Sequence, residues 1–248
     1  MARPFLVAAA LLCAGTAQAQ AQTAPVPPAA PEAAMDMSHH GPKLYTFTTA
    51  EVDYARVGGK DVVNWDAEGW VGGDVHKLWW RSEGETQGSR FEKAEVQALY
   101  SRNVATFFDV QGGLRYDIEP DSRGYAVAGV QGLSPYFFET QAHVFVGFKG
   151  DALVRLRQTF DLRMTNRFVI EPMLETDIYL TDVPERGIAS GFSTIETGLM
   201  ARYEITRKVA PYVGLIYERR LGGTARLAEA AGEDAGGWSV RGGLRFWF

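Results

Sequence analysis

The sequence predicts an all-β chain: an antiparallel transmembrane β-barrel of about 12 strands, preceded by a disordered, Pro/Ala-rich N-terminal extension. Three observations carry this. From about Leu44 onward, segments of roughly ten to fourteen residues alternate apolar and polar side chains, the period of a strand. One parity of these segments repeatedly carries several charges, which a barrel closed around a wet lumen accommodates while its apolar parity meets lipid. The connections also alternate between tight turns and longer loops, as barrels with periplasmic turns and external loops do.

Residues 1–19 read as a secretory signal. Arg3 supplies a positive start, Phe5 to Gly15 an apolar stretch, and Ala17 to Ala19 a small-residue cleavage site. Cys13, the only cysteine, lies inside the apolar stretch, so a chain cut after it has no disulfide. A lipoprotein would be cut just before Cys13, but the bulky Leu12 stands where a small residue is favoured. No later stretch reaches the roughly 18 apolar residues of a spanning helix. The exported product is then periplasmic, secreted or in the outer membrane. A formal net charge of -5 without a basic surface argues against nucleic acid as a partner.

Residues 20–43 are rich in Ala, Gln and Pro, with Pro25, Pro27, Pro28, Pro31 and Pro42, and read as an extended linker. Its end carries "MDMSHHG", which gathers two of the four histidines and two of the six methionines. Thioether sulfur suits Cu(I), imidazole suits Cu(II), and a pliant segment can fold around either. Met35, Asp36, Met37, His39 and His40 therefore form a candidate copper-capturing tail. Zinc or nickel would leave the methionines without purpose; a chance cluster is the bland alternative.

Residues 44–248 form the expected barrel, with strands near 44–56, 62–72, 76–87, 91–103, 105–117, 124–133, 136–149, 151–164, 167–180, 192–206, 209–220 and 237–248. In the eighth, Ala152, Val154, Leu156, Phe160 and Leu162 share one parity, against Asp151, Arg155, Arg157, Thr159, Asp161 and Arg163. The ninth sets Phe168, Ile170, Leu174, Ile178 and Leu180 against Glu171, Glu175 and Asp177, and the last sets Trp238, Val240, Leu244, Phe246 and Phe248 against Ser239, Arg241 and Arg245. An even count returns both termini to one side. The connections after even-numbered strands are tight, and most others are expected to be long, among them "EPDSRG", "TDVPERGIASG" and "LGGTARLAEAAGEDAGG". Trp65, Trp79, Trp80, Tyr100, Tyr116, Tyr136, Phe137, Tyr179, Tyr203, Tyr212 and Trp247 fall near strand ends, as interfacial girdles would.

Three lumenal residues are candidates for metal contact. Parity places His143 on the polar face with Glu139, Gln141 and Lys149, where a hydrogen-bonded wall residue is the commoner role. Met173 and Met200 fall on otherwise polar parities, and folding the hairpin near Glu185 to Gly187 brings them nearly opposite each other. Gap filling by methionine is the competing explanation. Glu171, Glu175, Asp177 and Glu196 share the wall with Arg155, Arg157, Arg163 and Arg202, either as an ion-pair network or as a cation path.

"NWDAEGWVGGDVHKLWWRSEGE" (Asn64 to Glu85), "GLRYDIEPDSRGYAVAGVQGLSPYFFETQAHVFVG" (Gly113 to Gly147) and the closing "GGLRFWF" resemble the copper resistance protein B family of bacterial outer membranes, through nearly all of the chain after about Leu44. The resemblance implies an outer-membrane barrel with a metal-binding N-terminal extension, working with a periplasmic multicopper oxidase against excess copper. Members often carry several Met/His/Asp repeats, whereas this chain has one.

Three functions compete on the sequence. The first is copper sequestration, or passage of copper across the outer membrane, by a barrel embedded in the lipid bilayer, with copper ions as cargo and no covalent chemistry. The second is a barrel phospholipase, which needs a Ser nucleophile near a His base; Phe145 stands two residues beyond His143, where that serine would be needed. The third is a passive solute pore or structural barrel, whose arginines could favour anions.

Overall fold

A computed structural model describes residues 44–248. Within them thirteen strands form one antiparallel sheet: β1 (Tyr45–Val57), β2 (Lys60–Gly72), β3 (His76–Gln87), β4 (Arg90–Ala105), β5 (Phe108–Glu119), β6 (Arg123–Ser134), β7 (Phe138–Gly147), β8 (Ala152–Thr159), β9 (Leu162–Arg163), β10 (Phe168–Tyr179), β11 (Gly191–Tyr203), β12 (Val209–Arg220) and β13 (Gly236–Trp247). The short β9 continues β8, since both pair with β10. The sheet is thus a twelve-stranded barrel, closed where β1 pairs with β13, Thr49 opposite Trp247 and Ala55 opposite Arg241. Closure removes the free sheet edges that lipid could not satisfy.

The alternation of the sequence becomes inside and outside. Val52, Leu114, Val146, Leu199, Val213 and Val240 are exposed on the outer face, where hydrocarbon replaces water. The opposite parity holds the buried charges, among them Arg81, Glu83, Glu95, Arg115, Glu171 and Arg202. Four of the expected girdle aromatics depart from that role, because their parity turns them inward. Trp79 packs against a buried apolar cluster that includes Tyr179, Tyr212 donates to Asp53 at 2.9 Å, and Trp247 lies beneath the guanidiniums of Arg202 and Arg245.

The lumen is filled unequally. Leu99, Tyr125, Val127, Phe145 and Leu153, on β4, β6, β7 and β8, form an apolar core inside the barrel, with Tyr125 and Phe145 edge to face at 6.5 Å. The remaining wall is open. At the end carrying the termini every connection is short. At the other, the loop end, only Leu180 to Ser190 and the segment between Arg220 and Gly236 are long; "EPDSRG", expected as a long loop, shrinks to a turn at Pro120 to Ser122, because β5 runs to Glu119 and β6 starts at Arg123. The last connection also contains a helix, α1 (Gly222–Ala230), where the sequence reading had only loop: good helix formers in "ARLAEA" bury Thr224 and Ala228 on one face. Thr224 Oγ1 accepts from the Ala189 N–H at 3.1 Å, so α1 braces the 180–190 loop.

That loop folds inward. Val183 is 2% exposed within the same apolar core, and Ile188 packs against it. Arg186 donates to Asp117 at 2.8 Å and to the Asp121 carbonyl at 2.8 Å, while Glu185 accepts from Arg123 at 2.9 Å.

Candidate functional site

The open wall borders a lumenal cavity of ≈ 680 Å³. Seventeen carboxylate residues and eight basic residues line it, so its excess charge is negative. The arginines are held by carboxylates and so are not free to favour anions. Strand register explains much of the pairing: Arg155 stands opposite Asp177 and Arg157 opposite Glu175 on neighbouring strands. Arg155 grips Asp177 with two bonds, at 2.9 and 3.0 Å, and Arg157 bonds Glu175 at 2.5 Å. From there Arg157 reaches across the lumen to Glu83 at 3.1 Å, and Arg155 to Glu95 at 3.4 Å. Arg115 closes this girdle by holding Glu95 at 2.7 Å and Asp117 at 2.6 Å.

A second girdle lies nearer the termini. Arg245 holds Glu171 through bonds of 2.6 and 3.0 Å and Glu51 at 2.6 Å, while Arg202 bonds both Glu171 and Asp161. Such forked arginine contacts combine charge with geometric fit. The sequence placed Arg202 and Glu171 on one wall but gave no sign of the clamp with Arg245 and Glu51, since it depends on barrel closure.

Met173 lies on β10 between Glu171 and Glu175, and therefore between the two girdles. It pairs with Gly198, whereas Met200 pairs with Glu171 and Gly214. The methionines are thus diagonal neighbours on adjacent strands, two residues from the near opposition expected, a relation that sets such residues roughly 7–8 Å apart and within reach of long side chains. Both line the cavity. Small residues make room for them: a Cβ on Gly198 would sit 2.3 Å from Ile216 Cδ1, and one on Gly214 would sit 3.3 Å from Met200 Cγ. The wall around the sulfurs is Met173, Met200 and Ile216 between two charged layers.

His143 is elsewhere. It is 3% exposed on β7, its Nε2 lies 2.8 Å from Gln111 Oε1, and it does not line the cavity. The structure therefore brings Met173 and Met200 together and leaves His143 in the opposite, packed wall. Met35, Asp36, Met37, His39 and His40 lie outside the described residues. Among the described residues no group of three or more His, Cys, Asp or Glu side chains is arranged to hold a metal ion. The interior apolar core escaped the sequence reading, although Leu99, Tyr125, Val127, Phe145 and Leu153 all sit on lumenal parities and so carried a usable signal.

Among solved structures, the NanC porin resembles the chain with a TM-score of 0.56 at 13% identity, over 80% of this chain and 98% of that one, a likeness of fold. A copper resistance protein B homolog of Pseudomonas syringae pv. tomato is 37% identical over 94% of this chain and 82% of its own length. Copper resistance protein B of Escherichia coli is 35% identical over 82% of this chain and 69% of its own. The family model described as copper resistance protein B precursor matches residues 43–248, nearly the whole barrel, and the chain belongs to this family of outer-membrane copper resistance proteins.

Proposed function

We propose that this outer-membrane barrel binds copper ions as cargo in copper resistance, either sequestering them or passing them across the outer membrane. In this reading residues 1–19 are removed as a signal, and residues 20–43 form a periplasm-facing collector whose ligands are Met35, Asp36, Met37, His39 and His40. Met173 and Met200 offer soft sulfur for Cu(I) inside an acidic lumen. His143, hydrogen-bonded to Gln111 in the packed wall and away from the cavity, would be a separate ligand and not part of the methionine pair's site. A periplasmic multicopper oxidase is the partner that family membership suggests, and no covalent step is assigned to the barrel. The observation that carries the proposal is the pair of thioethers on the cavity wall between two ion-pair girdles, in a chain of the copper resistance protein B family. A passive anion pore fits less well, because the carboxylate excess of the lining repels anions.

The test is Cu(I) and Cu(II) titration of the full chain, of M173L/M200L, and of a variant with the five tail ligands Met35, Asp36, Met37, His39 and His40 replaced. Loss of one Cu(I) equivalent in M173L/M200L is expected, with the fold intact because Met to Leu conserves volume and costs under about 1.5 kcal/mol. Unchanged stoichiometry in both variants would remove copper binding from these residues.

A further inference from the structure

The acidic cavity is lined at its loop end by a cation that belongs to the chain. Arg186 and Ile188, both from the 180–190 loop, line the cavity. The Arg186 side chain is 10% exposed, and its guanidinium rests on Asp117, which Arg115 holds from the other side at 2.6 Å. The loop that carries it is attached weakly on one side and by packing on the other. The Glu185 to Arg123 bond is half-buried: the Glu185 side chain is 72% accessible and Arg123, 4% accessible, keeps Asp121 without it, so the loop loses little when this bond opens. Val183 and Ile188 supply the apolar anchor.

Beneath the loop the polar groups are incompletely satisfied. Arg186 Nε is buried without a hydrogen-bond partner, and the buried Asp151 carboxylate meets Arg123 only at 3.6 Å. Buried polar atoms are ordinarily well paired, so loosely satisfied ones mark a contact that a second arrangement can relieve. Glycines also sit within and just after the loop: Gly187 at φ +66 and Gly191, at the start of β11, at φ +103 adopt backbone angles that other residues resist.

We propose that Arg186 is a tethered cation that determines selectivity at the loop-end mouth, occupying the acidic vestibule at Asp117 until an entering cation displaces it together with the 180–190 loop. Anions are refused by the lining behind it, and cations compete with a guanidinium for the same carboxylate. The proposal goes beyond copper handling and applies to any small cation, with K⁺ as the probe.

The experiment inserts the full chain, R186Q, R186K and D117N into planar bilayers across a KCl gradient. R186Q is expected to raise conductance and move the reversal potential toward that of K⁺, corresponding to about a fivefold rise in cation occupancy at the mouth, the effect of one unit charge a few ångströms away through water. R186K should resemble the parent, because it keeps a tethered charge. D117N removes the carboxylate that both cations compete for, so it should lower the preference for K⁺ below that of the parent, an unchanged preference overturning the proposal, and it carries the test if R186Q does not insert. Identical conductance and reversal potential in R186Q, a parent that prefers Cl⁻, or no conductance in any protein would overturn the proposal. Copper is absent from these measurements, so their failure leaves the copper titrations standing, and the converse holds.

Discussion

Replacing Glu95 by glutamine removes one negative charge from the girdle at its most enclosed point. The Glu95 side chain is 1% accessible and meets Arg115 at 2.7 Å, Arg155 at 3.4 Å and Lys93 at 3.6 Å. Removing one member of a buried ion pair ordinarily costs about 3–5 kcal/mol, because its partner is left charged and unsolvated. Here Arg115 keeps Asp117 and Arg155 keeps Asp177, so the arginines are not abandoned. The expected loss is therefore at the lower end, about 3 kcal/mol. Urea unfolding of the barrel in phospholipid vesicles, followed by tryptophan fluorescence, measures it. The transition should move to lower urea with its slope unchanged, while E185Q, whose own carboxylate is 72% accessible, moves it much less. A loss for E95Q within about 1 kcal/mol, the range of surface pairs, would show that lumenal water screens the girdle and refute its structural role.

Two further outcomes follow from the geometry. Leu199, mid-strand on the lipid face of β11, is expected to cost about 2–4 kcal/mol when changed to arginine, as charges on lipid-facing barrel positions do near the midplane; a neutral effect in the same unfolding assay would contradict the assigned parity. Around the 180–190 loop, hydrogen bonds from Arg123 and then Lys149 lower the pKa of Asp121, one from Arg123 lowers that of Glu185, and the Ser190 backbone N–H lowers that of Asp182. Carboxyls held below their ordinary values stabilise the folded loop above about pH 4 and lose that contribution as pH falls through the depressed values. Hydrogen exchange at Val183 and Ile188, corrected for intrinsic rates, should accelerate in that acid range, and constant protection would exclude the ionic attachments as the cause.

Strand positions were legible because barrel strands need little tertiary context: alternation marks the parity and Gly-rich turns mark the ends. "DALVRLRQTF" alone places Arg155 and Arg157 inward, as found. What alternation cannot supply is the neighbour across the lumen. Arg157 meeting Glu83, and Arg245 meeting Glu171, join residues 74 apart in each case and exist only after closure. Aromatics misled for a related reason. Trp79 and Trp80 are consecutive, and proximity to a strand end says nothing about which of them faces inward. Helix α1 was missed because nine residues with little apolar content fall below what periodicity can distinguish from a loop. Of the candidate site, the two methionines could be read from parity, while the register that makes them diagonal could not.

The lopsided filling of the lumen separates two tasks that a uniform bore would combine. With Phe145, Tyr125 and Leu153 packed as a spine along one side, that side is stiffened by apolar packing, whereas the staves from β11 round to β2 are joined inside by ion pairs and hydrogen bonds. Their inward residues can be exchanged, one ligand or charge at a time, without loosening the spine. A lineage adapting to a different ion would therefore be expected to record its changes on that open half and to leave the spine untouched.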